Sequence, residues 1–139
     1  MGPPAIRKVE GMANILLVDD DPAVVADNVA ALEADGHTVT AVPTTWEAFT
    51  VINGGLPDLV VMEAMLDGKF AGFDLARTLA HEYHELPLIM LTRADEFLSQ
   101  AELDRQDCDG WLPVARYMEK PVAPDVLAYE VDHILEAGH

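Results

Sequence analysis

ILLVDDDPAVVADNVAALEADGHTVTAV, residues 15–42, decides the fold. Ile15 to Val18 is a short continuous apolar run, the pattern of a strand covered on both faces. Three aspartates, Asp19 to Asp21, end it. Asp21-Pro22 then opens a helix, because an aspartate carboxylate accepts from first-turn N–H groups and proline suits the first helical position. Val24, Val25, Asn28, Val29 and Leu32 recur at helical spacing until Gly36 stops the segment. Thr38 to Val42 is rich in β-branched residues and predicts a strand. A buried strand, a helix and a second strand make one βαβ unit with its polar residues at the carboxyl end of the first strand.

The alternation continues to the end of the chain. Thr44 or Thr45 is expected to cap a helix carrying Trp46, Phe49 and Ile52, which stops at Asn53-Gly54-Gly55. Asp58 to Met62 predicts a second buried strand, and Phe73 to Tyr83 a helix with Leu75, Ala76, Leu79 and Ala80 inward. Leu88 to Leu91 reads as a strand and Glu96 to Arg105 as a helix. Tyr117 to Glu119 is a short strand, followed by a helix over Pro124 to Glu136 with Val126, Leu127, Val131 and Ile134 on one face. Five strands each followed by a helix imply right-handed crossovers and an α/β fold, a parallel sheet with helices on both faces.

The chain has 139 residues, the size of one domain with a single sizeable core. Half of them are hydrophobic and 24% are charged, which fits a soluble globular protein rather than a disordered one. The 25 acidic and 8 basic residues give a net charge of −17. Such a surface repels phosphate backbones and anionic lipid, so nucleic acid and membrane are excluded as expected partners. Cys108 is alone, no apolar run approaches the ~18 residues of a membrane span, and the amino terminus has no signal-peptide core. A reducing, cytoplasmic setting is expected. Residues 1–12, with Arg7 and Lys8, are set apart as a flexible arm or an expression remnant, Met12 being an alternative start.

In open parallel sheets, ligands bind outside the carboxyl ends of the strands. Those ends carry Asp19 and Asp20, Glu63, Thr92 and Lys120: three carboxylates, one hydroxyl and one ammonium on a common rim. The rival reading of Asp19 to Asp21 is a capped, solvated turn; it suits Asp21, whereas two further carboxylates so close together are costly without a cation. Thr92 alone could be a strand-end hydroxyl satisfied by backbone, and Lys120 alone a surface lysine. The chain has no Gly-rich phosphate loop and no general-base histidine at a strand end, which counts against a nucleotide-binding enzyme on the same fold. His81 and His84 do not form a metal-binding pair, Trp46 and Trp111 read as core or partner contacts, and Cys108 carries no role.

The motifs LLVDDDP (16–22), PDLVVMEAML (57–66), GFDLARTL (72–79), PLIMLTRA (87–94) and YMEKPV (117–122) together resemble the receiver domain of two-component response regulators. Singly each is weak; the order and spacing carry the resemblance. It covers about residues 13 to 137, so 13–139 is expected to be one receiver domain. It implies a doubly wound, flavodoxin-like sheet of strand order 2-1-3-4-5. The long segment from Thr92 to Lys120 and the stretch Asp109 to Val114 are similar to receivers that stand without an output domain.

The resemblance also implies roles. Asp19, Asp20, the acceptor position Glu63 and the Met65 carbonyl would hold a divalent ion, usually Mg²⁺, an ion that takes oxygen ligands and bridges phosphate oxygens. Thr92 would bind a phosphoryl oxygen and Lys120 would pair with the phosphoryl charge. Pro121 would follow a cis bond, and Tyr117 would be the switching aromatic, its rival reading being a half-buried strand tyrosine with a wet hydroxyl. The protein would not be an enzyme. Its partners would be a histidine kinase, a phosphotransfer protein or a downstream signalling protein, met through the helix over 96–105, the Tyr117 strand and the last helix.

Glu63 departs from the family pattern, which has an aspartate acceptor there. Glutamate is longer by one C–C bond, ~1.5 Å, and ~1 Å of misplacement can cost about a hundredfold in transfer. Asp67, four residues on, is a poor substitute. Either the Glu63 carboxylate reaches Thr92 and Lys120 and partly imitates an aspartyl phosphate, or it completes a metal site or salt-bridges Lys120 in a static docking module.

Overall fold

The computed structural model describes residues 13–66, 71–83, 85–92 and 116–137. The expected helix over Glu96 to Arg105, and Asp67, His84, Cys108 and Trp111, lie outside the described residues.

The elements follow in the order β1 (Asn14–Val18), α1 (Pro22–Ala34), β2 (Thr38–Val42), α2 (Thr45–Gly54), β3 (Leu59–Glu63), α3 (Ala71–Glu82), β4 (Leu88–Thr92), β5 (Arg116–Glu119) and α4 (Pro124–Ala137). The strands form one sheet of order β2-β1-β3-β4-β5, every pair parallel. This is the topology the motifs imply.

The continuous apolar runs are explained by burial on both faces. Leu16, Val18, Val60, Met62, Leu88 and Met90 point into one layer, against Ile52 of α2 and Leu75 and Leu79 of α3. Their sequence neighbours Ile15, Leu17, Leu59, Val61, Ile89 and Leu91 point into the other, against Leu32 of α1 and Leu127 and Val131 of α4. With a side-chain period of two, a strand serving two cores cannot alternate with polar residues.

Local chemistry sets the ends of the elements. Asp21 caps α1, accepting from the N–H groups of Ala23 at 3.0 Å and Val24 at 3.4 Å, with Pro22 in the first turn. Gly36, at φ 97°, supplies the left-handed residue that ends the helix. Thr44 caps α2 through the N–H of Glu47, at 3.1 Å. Two boundary differences have a visible local cause, and two burial expectations are corrected. Asp58 stays outside β3 because its carboxylate turns back to accept from the Asn14 N–H, at 2.8 Å. Helix α3 begins two residues before Phe73, where the Gly72 N–H donates to the Ala64 carbonyl. Val126 was expected inward but is exposed; Ala128 takes the inward place on α4. Trp46 is exposed rather than core.

Candidate functional site

Parallel strands deliver their last residues to one edge, and that is where the rim residues meet. Asp19 follows β1, Glu63 ends β3, Thr92 ends β4 and Lys120 follows β5. Asp19, Glu63 and Thr92 are buried, with 2%, 3% and 0% of their surface exposed, while Asp20 is exposed. Three polar side chains at the edge of an apolar core are expensive unless they are paired.

Glu63 is paired twice. One carboxylate oxygen contacts the Lys120 ammonium, and the other accepts from the Met65 N–H at 3.0 Å. Lys120 also lies 3.5 Å from the second oxygen of Asp19, so its ammonium bridges the two carboxylates. The Asp19 first oxygen accepts from the Asp21 N–H at 3.0 Å. The second oxygen of Asp19 and the Thr92 hydroxyl are buried and have no hydrogen-bond partner among the described residues. Among the described residues no backbone group satisfies the Thr92 hydroxyl, and Glu63 does not reach it. Of the two contacts that the resemblance implies for a phosphoryl group, to Thr92 and to Lys120, the Glu63 carboxylate makes the one to Lys120.

Burial raises the Asp19 carboxyl above the usual carboxylate range, with the charges of Glu63 and Asp20 adding to it; the Asp21 N–H and Lys120 oppose the shift. An ionised carboxylate in that position gains from a nearby cation. The donor set of Asp19, Asp20, Glu63 and the Met65 carbonyl is all oxygen, which fits a hard divalent ion such as Mg²⁺. The buried second oxygen of Asp19, which has the Lys120 ammonium 3.5 Å away but no hydrogen bond among the described residues, is the observation that supports this fit.

One feature of the site was not legible in the sequence. A Cβ on Gly72 would lie 2.0 Å from the Glu63 carbonyl and 2.8 Å from that of Ala64, so α3 can start against the end of β3 only with glycine there. The Lys120–Pro121 bond is cis, as the resemblance implied. The Tyr117 backbone lies in β5, and its side chain is outside the described residues. His81 is exposed at the end of α3.

At the opposite end of the sheet, the ligand atoms of Asp35, His37 and Asp132 lie within 4.8 Å of one another. The His37 ring settles what the group is. Its Nδ1 accepts from the Ala13 N–H at 3.2 Å, so Nε2 carries the proton and donates to Asp132 at 2.7 Å. With both ring nitrogens engaged, the buried histidine pins β1, β2 and α4 together and offers no lone pair to an ion.

A rim of carboxylates, a buried hydroxyl and a lysine followed by a cis proline, on a 2-1-3-4-5 sheet, is matched by a family model. The response regulator receiver domain model covers residues 15–132. The chain belongs to this family. Protein PilH of Pseudomonas aeruginosa is 29% identical over 126 residues, which is 89% of this chain and 98% of PilH. The transcriptional regulatory protein YvrH of Bacillus subtilis is 36% identical over 121 residues, 86% of this chain and 47% of YvrH. The transcriptional regulatory protein TcrA of Mycobacterium tuberculosis is 36% identical over 63% of the chain, which spans only 34% of TcrA. Among solved structures, a putative response regulator from Chloroflexus aurantiacus is 27% identical with a TM-score of 0.74, covering 89% of this chain and 98% of that one. A CheY-like receiver domain protein from Methanospirillum hungatei has a TM-score of 0.78 at 23% identity, covering 91% and 96%, and shares the fold. Among the described residues no helix of this receiver is long and apolar enough to cross a membrane.

Proposed function

We propose that this receiver domain works in two-component signal transduction through protein–protein contacts, with Glu63 in place of the phosphoaccepting aspartate. The observation that carries the reading is the double engagement of the Glu63 carboxylate, by Lys120 and by the Met65 N–H. A carboxylate held at both oxygens and set ~1.5 Å further out than aspartate would set it is a poor nucleophile for in-line transfer. It is instead a fixed negative charge at the position where a phosphoryl group would sit, with less charge and fewer acceptors than phosphate, so any bias toward the activated state is partial.

In this reading Asp19 and Asp20, with Glu63 and the Met65 carbonyl, hold Mg²⁺, which would screen their mutual repulsion. Thr92 and Lys120 keep the phosphoryl-binding positions, and Tyr117 the switch position. The module is not an enzyme in its own right and works in the cytoplasm. Histidine kinases, phosphotransfer proteins or downstream signalling proteins are the partner class. The outer side of α4, with Val126 and Tyr129 exposed and Tyr129 stacked on His133 at 6.1 Å, adjoins β5 and suits such contact.

A second reading, a static docking module without a switch, is favoured by the Thr92 hydroxyl, which has no partner among the described residues. Amide spectra separate the two. In the first reading the wild-type resonances of β4 and β5 lie between those of Glu63→Asp alone and Glu63→Asp with Mg²⁺ and beryllium fluoride. Wild-type positions identical to those of untreated Glu63→Asp would leave only the static module.

A further inference from the structure

The chain enters β1 from a fixed point at the end of the sheet opposite the rim. The Ala13 N–H donates to the His37 ring at 3.2 Å, and the Ala13 carbonyl accepts from the Thr38 N–H at 2.9 Å. On the other side, the Asn14 N–H donates to the Asp58 carboxylate at 2.8 Å, and the Asn14 carbonyl accepts from the Asp58 N–H at 2.7 Å. β1 runs parallel to β3 with Ile15 beside Leu59. Carried back, the same register sets Ala13 beside Pro57 and directs the twelve residues before it toward Leu56.

Leu56 to Asp58 form one side of a groove of about 490 Å³ that is open to solvent, with Tyr83, Leu86 and Pro87 on the other side. The walls are mostly apolar, and Leu56 is 52% exposed. Two exposed carboxylates, Asp58 and Glu85, complete the lining. Residues 1–12 carry the matching chemistry: Pro3-Pro4, Ile6 and Val9 are apolar, and Arg7 and Lys8 are two of only 8 basic residues against 25 acidic ones. Paired prolines favour an extended conformation with little entropy left to lose, which suits docking in a groove with aromatic and apolar walls. Reach is ample, since the start of β4 lies two strand spacings, ~10 Å, from that of β1, and twelve extended residues span up to ~40 Å. Charge alone does not choose this groove, because Asp35 and Asp132 lie at the same end of the sheet. Those two flank the His37 ring, whereas the groove joins its carboxylates to apolar walls.

We propose that the groove between the Leu56–Asp58 segment and Tyr83, Leu86 and Pro87 is the docking site of the chain's own amino-terminal segment. Its apolar residues lie against Leu56 and Tyr83, with Arg7 and Lys8 beside Asp58 and Glu85. The docked segment covers the exposed Leu56, ties the starts of β1, β3 and β4 together, and leaves the rim open. It stands independently of the role given to Glu63, at the other end of the sheet.

The test puts a nitroxide on Gly2→Cys, in a Cys108→Ser background of the full ¹⁵N-labelled chain, and reads which amides it broadens. The expected result is broadening strongest at Leu56, Asp58, Tyr83 and Leu86, weakening toward Asp20 and Thr92 at the rim. Arg7→Glu with Lys8→Glu should cut it at least about twofold, since two exposed ion pairs become repulsions. Broadening spread evenly over the surface would overturn the proposal, as would broadening centred on Asp35 and Asp132 or an effect that survives the charge reversal unchanged. A mixture of ¹⁵N-labelled chain without nitroxide and unlabelled chain carrying it should stay sharp; broadening of the groove amides there would assign the groove to a second copy instead. If the Cys108→Ser background does not fold, the charge reversal alone decides. Amide shifts at Leu56, Asp58, Tyr83 and Leu86 would then support the proposal, and unshifted amides would overturn it.

Discussion

At the scale of single residues, the account turns on which buried charges have partners. Lys120 holds Glu63 and stands beside Asp19, with all three side chains largely shielded from water. Removing one member of such a buried pair leaves an uncompensated charge, at a cost of about 3–5 kcal/mol. Lys120→Met should therefore lower stability in urea by that order in metal-free buffer, and Lys120→Met with Glu63→Gln by clearly less. Asp19 gives a prediction with a pH signature. Burial raises its folded-state pKa above the unfolded value, so the fold binds its proton more readily than the unfolded chain does. Ionised Asp19 therefore costs stability above its folded pKa, and that cost fades as the pH falls below the ordinary carboxylate value of about 4. Asp19→Asn should raise the thermal midpoint at neutral pH without divalent metal, and the gain should shrink toward zero in acid. A gain that is constant with pH would contradict the assignment of the shift to Asp19.

At the scale of elements, the junction of β3 and α3 is the most constrained. The missing Cβ of Gly72 lets α3 begin against the Glu63 and Ala64 carbonyls, and its N–H closes that junction onto Ala64. Gly72→Ala must push α3 away, costing about 1–3 kcal/mol as an overpacked contact. Chemical denaturation measures it, and an unchanged midpoint would show that α3 relaxes freely. This contact was not legible in the sequence, because a glycine near a helix start has many explanations and only the backbone approach selects one. Helix α1, by contrast, was legible at both ends: Asp21-Pro22 and Gly36 act through local chemistry that needs no tertiary partner. Val126 shows the limit of periodicity. It and Ala128 flank Leu127, and only packing against the sheet decides that the smaller residue turns inward. Asn28 lay on the apolar stripe of α1, and it is buried there.

At the scale of the whole molecule, order and spacing made the fold readable. Two-sided burial leaves apolar runs, the crossover rule fixes handedness, and parallel strands bring their carboxyl ends to one edge. The meeting of Asp19, Glu63, Thr92 and Lys120 on that edge follows from topology. Which of them touch does not, since it depends on side-chain reach: Glu63 extends to Lys120 and leaves Thr92 aside. The net charge of −17 adds a global prediction. Self-repulsion across so acidic a surface weakens the compact state and is screened by salt, so the thermal midpoint should rise between about 10 and 200 mM NaCl. A falling midpoint would mean that paired charges such as Lys120–Glu63 outweigh the general repulsion.

The most direct test of the central claim is the intact mass of the protein after treatment with acetyl phosphate and Mg²⁺, beside Glu63→Asp. The account predicts that only the variant gains ~80 Da, the mass of one phosphoryl group, because restoring aspartate returns the acceptor to a rim that otherwise keeps Asp19, Asp20, Thr92 and Lys120. A gain of that mass by the unmodified protein would contradict the account, since Glu63 or a neighbouring acid would then accept phosphate.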